Sequence, residues 1–296
     1  MKRTLIKQGT AGLTFYVPKK WADKKGLKPG DEVEVTLEEE TLTIHAGAAK
    51  KEPKRTEVKI TPENYNVYRS LIGGLYRAGY DEIKITFDDR KVITELQKTV
   101  DSLYGLEIFD IDDKSCIIKC VYTEEAVELF SHLNKIIHII KTMQAIIIED
   151  IEHKTYNSRD ELYQFRNNIL KQRDIIARTI VQQKLTENKE FPSYILSFFL
   201  WNIARNYFNL YEAIQKSYRI TKQDITALKK TNDFFVDFFK DWNNHPLTKK
   251  HANYRSLIAD HIQGMKTKDA SIVLSYCMNI SMLIQSCGSH LLVLNY

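Results

Sequence analysis

Gly26-Leu27-Lys28-Pro29-Gly30-Asp31-Glu32-Val33-Glu34-Val35 governs how the first part of the chain folds. Pro29 presets φ at about −65° and Gly30 accepts the positive φ of a tight turn, so the chain reverses here. Val33 and Val35 lie two positions apart and return to one face of a strand over residues 32–37. Residues 4–7, 13–17 and 41–45 are rich in β-branched and aromatic side chains and predict further strands, with the acidic tip Glu38 to Glu40 before the last. Pro18 opens a helical stretch, KKWADKKGL, between them. About fifty residues of this kind bury too little apolar surface for a stable monomer. The segment therefore needs a partner, most simply another copy of itself.

The charged run KKEPKR at residues 50–55 contains Pro53 and reads as a linker. An α/β unit follows. Residues 56–60 alternate as a strand, and Thr61-Pro62-Glu63 predicts the start of a helix that reaches Ala78 and ends at Gly79. Residues 81–87 predict a second strand, 89–104 a second helix stopped by Gly105, and 106–111 and 115–122 strands around Asp112-Asp113-Lys114. This βαβαββ order holds no G-x-G-x-x-G, no G-K-[ST] and no His-Cys cluster, so it offers nothing to a nucleotide cofactor. Gly73-Gly74, inside the first of these helices, points to close helix–sheet packing.

From residue 124 the pattern is helical throughout. Ala126, Phe130, Leu133, Ile137, Ile140, Gln144, Ile147 and Ile151 recur at steps of three and four, with Gln144 the one polar member. That is a long helix buried along much of its girth in a bundle. Ser158-Arg159-Asp160-Glu161 is a capping box for the next. A third helix starts at Pro192 and runs to about residue 218, a fourth starts at Thr221 and is closed by His245-Pro246, and two more lie near residues 248–265 and 268–294. Six helices predict two three-helix bundles. An internal echo supports the pair: Ile195-Leu196-Ser197-Phe198 returns as Val273-Leu274-Ser275-Tyr276.

With 296 residues the chain is about twice the length of a typical domain. Its 43% hydrophobic and 27% charged residues build a core and exclude collagen-like or wholly disordered classes. The net charge of +5 is too mild to declare a nucleic-acid protein. Its distribution says more: residues 1–55 carry 12 basic and 8 acidic residues, residues 56–123 carry 9 and 12, and the remainder 22 and 18. The first segment thus has the highest positive charge per residue. The longest apolar runs, such as residues 136–148, are interrupted before the ~20 residues that span a bilayer. No integral membrane segment and no secretory signal are expected, and the location is expected to be cytoplasmic. Cys116, Cys120, Cys277 and Cys287 form no C-x-x-C pair, which suits reduced thiols.

Gly12-Leu13-Thr14-Phe15-Tyr16-Val17-Pro18, then Lys19-Lys20-Trp21, then residues 26–35 together resemble the AbrB/SpoVT/MazE swapped-hairpin family, in which two chains exchange β-hairpins to make one barrel. A second resemblance follows. Tyr76-Arg77-Ala78-Gly79-Tyr80-Asp81-Glu82-Ile83, Leu103-Tyr104-Gly105-Leu106-Glu107-Ile108, Asp160-Glu161-Leu162-Tyr163-Gln164-Phe165 and Ile203-Ala204-Arg205-Asn206-Tyr207 are similar to the PhoU-type phosphate uptake regulators, in the archaeal form with an AbrB-like domain in front. Together these imply a multidomain α+β protein: a dimeric swapped-hairpin β-barrel over 1–50, a small α/β domain over 56–123 and a PhoU-like helical domain, a pair of three-helix bundles, over 124–296.

Arg3, Lys7, Lys19, Lys20, Lys24 and Lys25, with Lys2, cluster in the first segment, and dimerisation doubles them on one surface where phosphate contacts supply affinity. A solvated basic face that keeps a small barrel soluble accounts for the same residues. The family resemblance implies DNA binding through basic residues of this region. Lys7 falls where DNA-binding members have a basic residue, whereas Thr14, Ala22 and Asp23 fall where several have Arg. A module that serves only to dimerise the protein is the competing reading.

PhoU-like bundles resemble one another in carboxylates spaced four apart on one helix face, a pairing that holds divalent or iron cations. Asp160 matches the start of the second helix of the domain, while Asn206 stands where the third-helix motif has Asp. Glu149 and His153, at i and i+4 near the same hairpin tip, complete the candidate metal set with Asp160. Asp233, Asp237 and Asp241 lie mostly opposite Phe234, Phe235, Phe238, Phe239 and Trp242, as a solvated helix face does. The eight histidines pair with no Cys or Ser in a nucleophile motif, and no enzymatic activity is expected. The expectation is a cytoplasmic homodimer, joined by its hairpin swap, that regulates phosphate uptake or phosphate-responsive transcription. It would act through a phosphate transporter's ATPase subunit or another regulator, and through DNA bound by the barrel. The alternative is an autonomous DNA-binding transcriptional regulator whose helical half senses a ligand or metal.

Overall fold

The computed structural model describes residues 3–9, 12–37, 41–46, 53–61, 64, 67–121, 129–183, 189–216, 219–240, 242 and 271–294. The chain divides into two compact units, Met1–Pro53 and Lys54–Tyr296.

In the first unit β1 (Ile6–Gln8) pairs antiparallel with β2 (Gly12–Thr14). Helix α1 (Lys19–Lys25) starts behind Pro18, whose carbonyl accepts the N–H groups of Trp21 and Ala22 at 2.9 and 3.0 Å. It ends at Gly26, which adopts φ +68° and closes the last turn from the left-handed region. The turn that follows has the expected chemistry. Gly30 sits at φ +96°, the Asp31 N–H donates to the Lys28 carbonyl at 3.1 Å, and the Lys28 N–H donates to the Asp31 carboxylate at 2.7 Å. β3 (Val33–Leu37) and β4 (Leu42–Ala46) then form a second antiparallel hairpin.

The second unit opens with a four-stranded sheet in the order β5-β6-β8-β7. β5 (Arg55–Ile60) and β6 (Glu82–Phe87) are parallel across helix α2 (Tyr68–Arg77), and β7 (Leu106–Phe109) and β8 (Ser115–Cys120) complete it antiparallel after helix α3 (Val92–Asp101). Alternation buries Val58, Ile60, Ile83, Ile85, Phe87, Cys116 and Ile118 against Ile72, Tyr76, Leu96 and Val100 of the helices. One detail differs from the sequence reading. The last residues of the predicted linker belong to the sheet: β5 begins at Arg55, and the Lys54 N–H donates to Asp81 at 2.9 Å. Helix α2 is described from Tyr68, and the expected start at Pro62-Glu63 lies outside the described residues. The Asn64 side chain accepts the Thr61 N–H at 2.8 Å and donates to the Lys59 carbonyl at 2.7 Å.

Five described helices follow: α4 (Leu129–His153), α5 (Arg159–Gln183), α6 (Glu190–Gln215), α7 (Lys222–Phe238) and α8 (Ile272–Leu294). One buried cluster runs through all five, because α6 lies against α4, α5 and α8 at once. Gln144, the polar member of the α4 stripe, donates to the Tyr207 hydroxyl at 2.8 Å, and that hydroxyl donates to Asn232 at 2.9 Å, so its burial leaves no orphaned group. The helix expected near residues 248–265 lies outside the described residues. Helix α8, with 23 residues, is long and apolar enough to cross a membrane by length and composition. It packs on α6 and α7, with Val273, Cys277, Ile280, Ile284, Cys287 and Leu291 in the core. All four cysteines are free thiols. Burial pushes Cys116 and Cys277 up to about 11, away from thiolate chemistry.

Candidate nucleic-acid interface

Arg3, Lys7, Lys19, Lys20, Lys24 and Lys25 are all exposed, and Lys2 lies outside the described residues. Arg3 precedes β1, and Lys7 sits on β1 directly across from Leu13. Lys19, Lys20, Lys24 and Lys25 are on α1, where Lys20 and Lys24 stand one turn apart on a common face. Lys24 and Lys25 occupy the last turn, where the helix dipole favours positive charge. Thr14 and Asp23 are exposed, and Ala22 is half-buried with its neighbour Trp21.

The hairpin after the turn has two unlike faces. Its register pairs Val33 with Ala46, Val35 with Ile44 and Leu37 with Leu42, while Glu34 pairs with His45 and Thr36 with Thr43. One face is therefore wholly apolar, yet Leu37 is 76% exposed and Leu42 51%. No described residue of the first unit is fully buried.

Residues 16–59 match the MazE family model, described as antidote-toxin recognition, bacterial antitoxin. The matched stretch runs through α1, the Pro29-Gly30 turn, both strands of the second hairpin and most of β5, and leaves the β1–β2 hairpin outside it. No curated protein and no solved structure matches the chain.

The candidate metal residues stand on the α4–α5 hairpin and are all exposed. His153 Nδ1 lies 3.0 Å from the Glu149 carbonyl oxygen, so that ring nitrogen faces backbone and not the Glu149 carboxylate. Asp160 pairs with Arg159 at 3.3 Å, and Arg159 also clasps Glu212 at 2.7 Å. Among the described residues no group of three or more His, Cys, Asp and Glu is placed to hold a metal ion. Asn206 donates to the Asn202 carbonyl at 2.8 Å. Asp233 and Asp237 are exposed opposite buried Phe235, Phe238, Phe239 and Trp242, and Asp241 lies outside the described residues.

Two polar constellations in the second unit escaped the sequence reading. At the α4–α5 hairpin, buried Asp150 accepts from the Tyr211 hydroxyl, from Thr155 at 2.7 Å and from the Ser158 N–H at 3.2 Å. Burial opposes its ionisation, but these bonds outweigh it and hold the carboxyl below its ordinary value. The signal was present: Met143, Ile147 and Asp150 follow the buried stripe of α4. Where α5 meets the sheet layer, Arg178 donates to the Tyr76 and Tyr80 carbonyls at 3.0 and 2.7 Å and to Asp81 at 2.6 Å. Beside it, Asp174 takes both Arg77 and Arg173. No local pattern announces these pairs, whose members stand 97 positions apart in two cases.

Proposed function

We propose that the chain is a cytoplasmic, non-catalytic homodimer that regulates phosphate uptake or phosphate-responsive transcription. It binds DNA through the first unit and contacts a phosphate transporter's ATPase subunit or another regulator through the helical half. The observation that carries this reading is the apolar hairpin face of Val33, Val35, Leu37, Leu42 and Ile44, left open in a single chain that also displays six exposed basic residues in the same unit. A second copy that exchanges hairpins covers this face and doubles the basic residues. The family match over residues 16–59 supports that step. The phosphate role is supported by the PhoU-like sequence runs at residues 76–83, 103–108, 160–165 and 203–207.

Duplex DNA binding measured in moderate salt, before and after the triple substitution Lys7→Glu, Lys19→Glu and Lys20→Glu, tests the DNA part. Each lost phosphate contact lowers the slope of log affinity against log salt by about 1. No affinity at the outset, or no loss after substitution, overturns it. A pull-down from cells grown with and without phosphate tests the partner. Recovery of a transporter component supports the reading, and recovery of a toxin in its place moves the chain to the antidote role named for the matched family. The second reading, a DNA-binding regulator whose helical half senses a ligand, is favoured by a cleft between α2, α5 and α6.

A further inference from the structure

That cleft, about 350 Å³ in volume, opens where the end of α2 meets α5 and the first turn of α6. Its size is at the lower end of pockets that take small organic ligands. Ile180, Val181, Phe191 and Tyr194 form apolar walls, and Arg77 and Glu190 supply charge. Two of the walls are costly as they stand: Phe191 is 68% and Val181 48% exposed. Large apolar side chains gathered at a concave site are the mark of a surface that is covered in use.

The charges around the cleft specify what covers it. Arg77 is set by Gly73, one turn earlier on α2: a Cβ there would come within 3.3 Å of Arg77 Nη1, so its absence leaves room for the guanidinium. Arg77 Nη1 reaches Asp174 Oδ1 at 3.4 Å. The same oxygen accepts Arg173 Nη2 at 2.8 Å and Nε at 3.2 Å. One buried carboxylate thus answers two guanidinium groups, while Arg178 is balanced separately by Asp81. Arg77 spends one long hydrogen bond from a fork of five donors, so guanidinium donors remain to face the cleft. A carboxylate is the anion that a guanidinium fork takes in two parallel bonds. Glu190 at the other polar point repels a second negative charge, which disfavours phosphate and dicarboxylates.

We propose that the cleft binds a small amphipathic monocarboxylate, its head on Arg77 and its apolar body against Ile180, Val181, Phe191 and Tyr194. The site stands whether or not the first unit binds DNA. Calorimetric titration of the full chain with decanoate, below its micelle concentration, and with decanol as the uncharged control tests it. Decanoate is expected to saturate one site per chain and to bind more tightly than decanol. Arg77→Gln weakens decanoate about tenfold, the loss of a charge-assisted pair, and leaves decanol unchanged. Val181→Trp, at an exposed wall position, fills the cleft and abolishes both. Absence of saturable decanoate binding, equal affinity for the two probes, or decanoate binding that survives Val181→Trp overturns the proposal. These outcomes decide the matter even if Arg77→Gln fails to fold.

Discussion

β3 and β6 carry the same pattern and meet opposite fates. Ile83, Ile85 and Phe87 of β6 are 1%, 0% and 2% exposed, whereas Val33, Val35 and Leu37 of β3 are 39%, 46% and 76% exposed. Alternation specifies that a strand has an apolar face, but it does not supply the cover for that face. For β6 the cover is α2 and α3, which the same chain provides within a few residues on either side. For β3 the described residues of the unit Met1–Pro53 offer one short helix, and the apolar side chains described there stay exposed or half-buried. One unit covers its apolar strand face within the chain, and the other leaves that face exposed.

The largest effect should come from spoiling the uncovered face. Val35→Asp with Leu37→Asp is expected to halve the mass found by light scattering, from two chains to one, while urea unfolding of the second unit is unchanged. An unaltered mass would place the dimer contact elsewhere. In the second unit the next largest effect is at Arg178, whose side chain is 6% exposed against Asp81 at 24%. Arg178→Ala leaves the half-buried Asp81 without its cation and the Tyr76 and Tyr80 carbonyls without their donor, and is expected to cost about 3 kcal/mol in urea unfolding, with partial recovery on adding Asp81→Asn.

Asp150 gives a smaller, pH-dependent effect. Its ordinary value, kept in the unfolded chain, is about 3.9. The folded value is lower, so the ionised form stabilises the fold above 3.9 and the contribution disappears as pH falls through the folded value. Asp150→Asn should therefore cost about 1–3 kcal/mol at neutral pH and progressively less in acid, as followed by urea titrations across pH. The smallest change is at the start of α7, where Thr221 and Asp224 form a reciprocal capping box. Thr221→Ala is expected to lower stability by about 1 kcal/mol, measured by thermal melting.

Much of this molecule is legible locally. The Pro29-Gly30 turn, the α1 stop at Gly26, the βαβαββ order and the α4 stripe all follow from residues within a turn or a strand of one another. Helix α8 was legible near residues 268–294, although scattered Ser, Asn and Gln interrupt its apolar run without adding charge. The basic candidates of the first unit could be named from composition, because their exposure needs no distant partner.

Composition and spacing were enough to set the class of each segment, the alternation of the strands and the mildly basic start, because these rest on neighbours in the chain. The junction of α5 with the sheet layer is another matter. That Asp174 answers both Arg77 and Arg173, that Asp81 meets Arg178, and that a cleft is left beside them became known only from the folded chain. A charged side chain's periodicity shows which face of a helix it occupies, while its partner across 97 residues is chosen by how the layers pack.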